Sequence, residues 1–345
     1  MKITGTAQHQ AWQDRVLPAV EPVRPDLWSI PVPIPKSPLR YTLSYAYLDD
    51  GGVLLVDPGW DSPQGRAALT AGLGTAGTTL GEVAGVLVTH MHPDHHGLSA
   101  WVREHSGAWI GMHPAEVQTL PSRRWRERRP EADQAWLLRH GCPEEDAAAL
   151  TVDPKRLGDL MRMPEPDRPV EDGDLLPLAR HEVRAVWTPG HTPGHLCLHD
   201  AGGGVLLTGD HLLPRISPNI GVHAGDDGGD PLGEYLASLD RSAKFAEYEA
   251  LPAHEYRFRG IDDRAAELAR HHDDRGHETL RVIDAVGSPT AWAIAAGLTW
   301  SRGWDGLHGM MRRMALGETL AHLRHLAGAG LVRRSPGVPE RWSRP

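Results

Sequence analysis

A dense run of metal-binding residue types follows a predicted buried strand near residue 90. The run contains His90, His92, Asp94 and His95 within six residues. Residues 83–88, just before it, are apolar and largely β-branched, which predicts a short buried strand. Clustering so many polar groups at a strand end is costly unless a bound partner compensates for their lost hydration. We therefore interpret the run as part of a metal site, because imidazole and carboxylate ligands suit zinc and related transition metals.

Three later segments repeat this construction, in which an apolar run is followed by a residue that can bind a metal. Residues 183–187 lead to His191, residues 205–209 end at Asp210, and residues 251–253 end at His254. Glycine or proline stands beside each of these residues, which lets the backbone turn sharply close to an ion. Chance rarely places each candidate ligand after a separate strand, so the pattern favours one site for two ions.

The complete pattern resembles the metallo-β-lactamase superfamily, whose motif is His-x-His-x-Asp-His followed by a distant His, Asp and His. The resemblance covers roughly residues 25–260, and every ligand position is filled in order. It implies an α/β fold, the αββα sandwich of that family, with the metals at its edge. Within the superfamily, the ligand set is similar to that of glyoxalase II.

The resemblance also implies the roles of individual residues in binding two divalent metal ions, with zinc expected and iron or manganese as alternatives. It assigns the first ion to His90, His92 and His191. It assigns the second ion to Asp94, His95 and His254, with Asp210 bridging both.

Four further predictions concern residues around these ligands. Asp57, after the apolar residues 53–56, matches the family's aspartate that supports the ligand loop by hydrogen bonding. Bound zinc lowers the pKa of water to about 7, so a metal-bound hydroxide is the expected nucleophile. Asp94 is the candidate catalytic residue that orients this water and moves a proton. Tyr256 or Arg257 is expected to contact the substrate, with packing beside the site as the equal alternative.

The favoured function is therefore a dinuclear metal-dependent hydrolase that attacks a thioester, lactone or related ester of a small molecule. The alternative is a single-stranded RNA endonuclease of the same superfamily, which rests on the C-terminal tail and an arginine-rich segment. β-Lactamase activity is not favoured, because the enzymes with that activity generally depart from this ligand pattern.

The chain is expected to contain two domains. Residues 1–262 form the hydrolase domain, with a helical insert at about 115–168 that carries five arginines between residues 122 and 129. This arginine cluster is either a solvated helix face or an anion-binding rim. Residues 263–345 predict a helical linker, helices and a hairpin around residues 335–339. This tail resembles the small winged-helix domain of the β-lactamase-like protein 2 group.

Composition limits which binding partners and which cellular compartment are expected for this protein. The formal charge of −9 argues against a protein that coats nucleic acid, although a local basic site is compatible with it. The two cysteines, Cys142 and Cys197, form neither a metal motif nor a disulfide framework. With no predicted signal or membrane span, they favour a cytoplasmic enzyme with a small-molecule substrate. Nucleic acid is not the favoured partner, and a homo-oligomer is left open.

Overall fold

The computed structural model describes residues 1–124, 129–152, 163–226 and 228–345. Within these residues the chain divides into two compact units. The first unit comprises Met1–Arg124, Asp159–Pro218 and Ser238–Ala266. The second comprises Trp125–Gly158, Asn219–Ala237 and Glu267–Pro345. The predicted arginines 126 and 128 lie outside the described residues, and the predicted boundary at residue 262 stays a prediction.

The first unit contains two β-sheets. One sheet has the strands β2 (Glu21–Arg24), β3 (Leu27–Pro33), β4 (Tyr41–Asp49), β5 (Gly52–Val56), β6 (Val83–Leu87), β7 (Trp109–Met112) and β8 (Arg168–Pro169), in that spatial order. The other has, also in spatial order, β1 (Lys2–Ile3), β13 (Phe258–Arg259), β12 (Glu249–Pro252), β11 (Val205–Gly209), β10 (Leu196–Asp200) and β9 (Val183–Trp187).

The helices of the first unit are α1 (Thr6–Asp14), α2 (Pro63–Thr75), α3 (Pro93–His96), α4 (Ser99–Ser106), α5 (Pro114–Val117) and α6 (Pro121–Arg124). Helix α2 begins at Pro63, and the preceding Ser62 side chain caps it by accepting a hydrogen bond from the Gly65 N–H at 3.0 Å. Helices α9 (Pro231–Ser242) and α10 (Ile261–Val286) have residues in both units.

Alternating side chains of the strands explain the layered architecture. In β5, Leu54 and Val56 join the core between the two sheets, while Val53 and Leu55 join a second core on the other face of their sheet. That second core includes side chains of α2 and α4, so β5 is buried on both faces and its sequence is continuously apolar. The first unit is the αββα metallo-β-lactamase sandwich expected from the sequence.

Two parallel strand pairs determine where the candidate ligands lie. Strands β5 and β6 are parallel, and so are β11 and β12. Parallel neighbours end at the same edge of a sheet. The segments after β5 and β6 therefore lie together, as do the segments after β11 and β12.

The second unit is built mainly from helices. These include α7 (Pro130–Arg139), α8 (Glu144–Leu150), α11 (Ala291–Gly297) and α12 (Met310–Gly328), followed by the antiparallel pair β14 (Arg333–Ser335) and β15 (Arg341–Ser343). Arg313 of α12 donates to both carboxylate oxygens of the fully buried Asp133 of α7, at 2.7 and 2.9 Å. This ion pair ties a helix of the predicted insert to the C-terminal helices. The assignment of the tail as a winged helix stays a prediction.

None of the helices in the described part of the chain combines the length and the apolar character needed to cross a membrane.

Two glycines of α2 provide a matched test of packing between helix and sheet. A methyl group on the buried Gly72 would overlap the side chain of Ile30 in β3, whereas nothing lies within 4 Å of one on the exposed Gly74. We expect Gly72→Ala to lower the free energy of unfolding by about 1–3 kcal/mol because of overpacking. Gly74→Ala should raise the free energy of unfolding by a few tenths of a kcal/mol, since alanine favours a helix more than glycine does. Urea unfolding of both variants measures this, and equal effects would contradict the close approach.

Acid sensitivity of the second unit follows from a buried histidine pair. His272 Nδ1 lies 3.3 Å from His322 Nε2, and the His322 Nδ1–H donates to the Glu318 carbonyl at 3.0 Å. Burial lowers the pKa of His322 from 6.5 to about 4. Between pH 6.5 and pH 4 this histidine is therefore protonated in the unfolded chain but neutral in the folded chain. The free energy of unfolding consequently decreases as the pH falls from 6.5 toward 4.

This histidine should destabilise the protein by up to about 3 kcal/mol at the acid end of that range. Replacement by glutamine, His322→Gln, should flatten the decline when urea unfolding is followed from pH 7 to pH 4. His277→Gln, at an exposed histidine of α10, is the control. An unchanged pH profile in His322→Gln would contradict the assignment.

Candidate metal centre

Three histidines form the first cluster at the edge of the sandwich. The ligand atoms of His90, His92 and His191 all lie within 4.8 Å of one another. His92 Nδ1 is 2.9 Å from His90 Nε2 and 3.1 Å from His191 Nε2. His90 and His92 follow β6, whereas His191 follows β9, so the fold brings together residues that are about 100 positions apart in the sequence.

A second cluster contains a carboxylate and two histidines. The ligand atoms of Asp94, His95 and His254 also lie within 4.8 Å of one another. Asp94 Oδ2 is 3.4 Å from His254 Nε2 and 3.9 Å from His95 Nε2. Asp94 and His95 lie on the one-turn helix α3, and His254 follows β12.

Asp210 lies between the two clusters and directs a different oxygen toward each. Its Oδ1 is 3.4 Å from His95 Nε2 and 3.2 Å from His254 Nε2. Its Oδ2 is 3.7 Å from His191 Nε2. The carboxylate can therefore offer one oxygen to an ion in either cluster.

Several buried ring nitrogens and a carboxylate oxygen in this region are suited to binding divalent cations. His95 Nε2, His254 Nε2 and Asp210 Oδ1 are buried and have no hydrogen-bond partner among the described residues. The other ring nitrogen of each histidine is engaged, because His95 Nδ1 donates to Asp57 Oδ2 and His254 Nδ1 donates to the Tyr41 carbonyl, both at 2.8 Å. In a neutral ring each Nε2 would therefore have its lone pair directed away from these partners, as a metal-binding histidine requires.

Asp57 connects the end of β5 to the loop after β6. Its Oδ1 accepts from the Thr89 N–H at 2.7 Å. Its Oδ2 accepts from the Thr89 hydroxyl at 2.7 Å and from His95 Nδ1 at 2.8 Å. Three hydrogen bonds to one buried carboxylate thus orient the start of the loop and one histidine ring.

The electrostatics of the centre are dominated by opposite charges in a buried space. Burial raises the pKa of Asp210, but His254 and His95 outweigh this and hold it well below its usual range. Burial lowers the pKa of His95, but Asp210, Asp57 and Asp94 outweigh it and raise that pKa well above 6.5. In contrast, burial and the neighbouring histidines lower the pKa of His90. Asp210 is therefore ionised at neutral pH, and cations bound beside it would take the place of protons.

His195 is a residue of the centre that the sequence reasoning missed. It is fully buried, and its Nε2 accepts a hydrogen bond from the Asp210 N–H at 3.1 Å. Its Nδ1 lies 2.9 Å from the Thr188 hydroxyl. The signal was present, because the tetrapeptide Thr-Pro-Gly-His occurs twice in succession over residues 188–195. The first histidine joins the ligand cluster and the second supports the backbone of Asp210.

Gly209 allows this close approach of His195. It has a positive φ of 49°, and a Cβ built there would lie 2.6 Å from His195 Nε2. A larger residue would meet both a backbone conformation that L-residues rarely adopt and a side chain that cannot move without releasing Asp210.

The two candidate substrate residues have structural contacts in this fold. Arg257 donates to Glu21 at 2.6 Å and to Glu249 at 2.9 Å, which places its guanidinium in an ion-pair network. Tyr256 is only 3% exposed, and its ring packs edge-on against Trp12 and His9. These contacts favour the packing alternative, and substrate contact by either residue stays a prediction.

Comparison with known proteins identifies the family. The sequence profile of the metallo-beta-lactamase superfamily matches residues 38–254, more than half of the chain and a span that includes all of the clustered residues. The chain belongs to the metallo-β-lactamase superfamily. This membership and the two clusters of candidate ligands imply divalent metal ions and a metal-dependent hydrolase.

Two solved members of the superfamily are similar over nearly the whole chain. A metallo-beta-lactamase family protein from Thermus thermophilus is 34% identical, with a TM-score of 0.78, and the match covers 94% of this chain and 100% of that one. A beta-lactamase domain protein from Burkholderia ambifaria is 30% identical, with a TM-score of 0.76, over 96% and 97% of the two chains. The similarity therefore extends beyond the profile match into the second unit.

Curated relatives match over shorter stretches. A hydroxyacylglutathione hydrolase from Maricaulis maris is 43% identical over 98 residues, which cover 24% of this chain and 38% of the relative. A lactamase-like protein from Aspergillus fumigatus is 32% identical over 116 residues, 34% of this chain and 32% of the relative. The chain thus spans about a third of the length of these relatives.

Removal of metal should destabilise this superfamily member. Ions that bind only the folded chain stabilise it by mass action, by about 4 kcal/mol at 1,000 times the dissociation constant. We therefore expect a chelator to lower the unfolding temperature and added zinc to restore it, as measured by calorimetry together with metal analysis. Equal unfolding temperatures for metal-loaded and metal-free samples would contradict a buried ion site.

Proposed function

We propose that this chain is a dinuclear metal-dependent hydrolase that acts on a thioester, lactone or related ester of a small molecule. The position of Asp210 carries the proposal. Its Oδ1 lies beside His95 and His254, and its Oδ2 lies beside His191. A carboxylate that offers one oxygen to each of two ligand clusters suits a pair of ions.

In this proposal His90, His92 and His191 would hold the first ion, and Asp94, His95 and His254 would hold the second. Asp210 would offer one oxygen to each ion. Zinc is the expected metal, with iron or manganese as alternatives. The bound ions supply Lewis acidity, which acidifies water and polarises the substrate oxygen.

The chain's own contribution to the reaction is orientation and proton movement. Asp94 is partly exposed, with 14% of its side chain accessible, so it can face a water that enters the site. Its backbone carbonyl accepts from the Thr42 hydroxyl at 2.8 Å, which fixes the residue against β4. Asp94 is therefore our candidate for orienting the attacking water and moving a proton to the leaving group.

Two observations support a small-molecule ester over RNA. The hydroxyacylglutathione hydrolase from Maricaulis maris shares 43% identity over the matched 98 residues. In addition, Arg123 at the start of the arginine-rich segment donates twice to Glu165, at 3.1 and 2.6 Å. A guanidinium held by both oxygens of a carboxylate is not available as a free phosphate ligand without breaking that pair.

Cleavage of single-stranded RNA remains the second candidate because of the C-terminal hairpin. All three residues of β14 are exposed, and two of them are Arg333 and Arg334. Arg341 and Arg344 are also exposed in the same hairpin region. Clustered arginines attract phosphates, and binding that depends on them weakens steeply with salt.

One metal-quantified preparation should be tested in parallel on a thioester panel, a lactone panel and labelled single-stranded RNA. We expect metal-dependent turnover of a thioester or lactone with little dependence on salt. RNA cleavage that falls steeply between low and physiological salt would instead favour the second candidate.

A location in the cytoplasm also stays a prediction, with which the two buried free cysteines are compatible.

Asp210→Ala should remove the bridge and lose both metal and activity. We expect a loss beyond the roughly 10- to 100-fold that follows removal of a residue supporting a ligand. The readouts are metal content per chain and turnover of the substrate found in the panel. Asp240→Ala, at an exposed aspartate of α9, is the control for preparation and contaminants. Full activity in Asp210→Ala would rule out the two-ion mechanism.

A further inference from the structure

A buried glutamate outside the ligand set lies against the first cluster. Glu116 is on α5, directly after β7, and its side chain is 0% exposed. An ionised carboxylate at such a position is strongly destabilising unless hydrogen-bond donors surround it. Its partners therefore indicate what the residue does.

The two carboxylate oxygens of Glu116 bind two different ligand loops. Oε1 accepts from the Met91 N–H at 2.8 Å, and Met91 stands between His90 and His92. Oε2 accepts from the Gly194 N–H at 2.8 Å. Gly194 ends the short loop Thr192-Pro193-Gly194 that connects His191 to His195.

Glu116 thus joins the segments that carry all three residues of the first cluster. Met91 and Gly194 are separated by about a hundred positions in the sequence, yet one side chain holds both backbones through charge-assisted hydrogen bonds. These bonds fix the distance between the loop of His90 and His92 and the loop of His191.

The packing at Gly194 shows how closely the loops approach. A Cβ built on Gly194 would overlap the backbone nitrogen of Glu116 and its side chain. Only a glycine lets the loop approach α5 closely enough for its N–H to reach the carboxylate.

The second cluster is held by different groups. Asp57 accepts from His95 Nδ1 at 2.8 Å, and the Tyr41 carbonyl accepts from His254 Nδ1 at the same distance. The Thr42 hydroxyl donates to the Asp94 carbonyl at 2.8 Å. Support of the second cluster therefore comes from β4 and from the end of β5. Asp57 also accepts from Thr89, next to His90, whereas both of these Glu116 bonds go to loops of the first cluster.

We propose that Glu116 is the positioning residue of the first metal ion, and that it sets the affinity for this ion independently of the second. The inference rests on the proposed two-ion function. Loss of a partner that orients a ligand typically weakens metal binding by about 10- to 100-fold. Because both of these bonds go to the loops that carry the first cluster, the weakening is expected at the ion of that cluster.

The test is the isosteric variant Glu116→Gln. Glutamine keeps one acceptor oxygen but replaces the other by an NH2 group, which cannot accept from a backbone N–H. Stepwise chelator titration with metal analysis should show one ion of unchanged affinity and one ion weakened by about 10- to 100-fold. The complementary variant, Thr42→Val, removes the hydroxyl that donates to the Asp94 carbonyl and should weaken the other ion.

The double variant shows whether the two residues act on different ions. If they do, Glu116→Gln with Thr42→Val should weaken both ions, each by the factor found in its single variant. Cobalt-loaded samples give a second readout, because the visible spectrum should change in only one of two resolved components in each single variant. A spectrum in which both components change together would contradict the independence.

Glu249→Gln is a matched control for loss of a buried glutamate. Glu249 is 4% exposed and accepts from Thr4, Arg24 and Arg257, away from these two loops. It should lower stability toward urea while leaving two ions of wild-type affinity. If Glu116→Gln does not fold, Glu116→Asp keeps the charge with a shorter side chain and should show the same loss for one ion.

The outcomes separate this inference from the proposed function. Two ions in the wild-type chain with unchanged affinities in Glu116→Gln would overturn the role of Glu116 alone. Equal weakening of both ions would also overturn it, because Glu116 would then be a general structural residue. Fewer than two ions in the wild-type chain would overturn the two-ion function itself, and the inference with it.

Discussion

The organisation of the first unit depends on keeping Asp210 ionised inside the protein. An isolated buried carboxylate would take up a proton, because desolvation disfavours its charge. Here His95 and His254 lower its pKa instead, and His195 accepts a hydrogen bond from its backbone N–H. The segments after β6, β9 and β12 place His95, His191 and His254 beside Asp210.

The supporting residues are as important as the ligands because imidazole rings and short carboxylates have several rotamers. Asp57 and the Tyr41 carbonyl each engage one nitrogen of a histidine and so leave the other directed at the centre. Glu116 acts on backbone groups rather than on rings, through the N–H groups of Met91 and Gly194. Two kinds of support, ring orientation and loop position, therefore serve the two clusters.

The second unit is assembled from segments that come from three separate parts of the sequence. The buried pair of Arg313 and Asp133 joins a C-terminal helix to a helix before the second half of the sandwich. Buried ion pairs specify which partners meet more than they add stability. Removal of either partner would leave a buried charge, so this pair strongly favours the observed assembly of the unit.

The sequence alone determined the αββα fold, the superfamily and the set of residues that converge at the sheet edge. These follow from local patterns, since apolar strands and the His-x-His-x-Asp-His run are encoded in neighbouring positions. Only the tertiary structure revealed the role of His195, although its preceding residues are identical to those of His191. It also showed Glu116 between two loops and Arg257 in an ion-pair network. Such roles depend on contacts between residues that are far apart in the chain, and a local sequence pattern gives no information about such contacts.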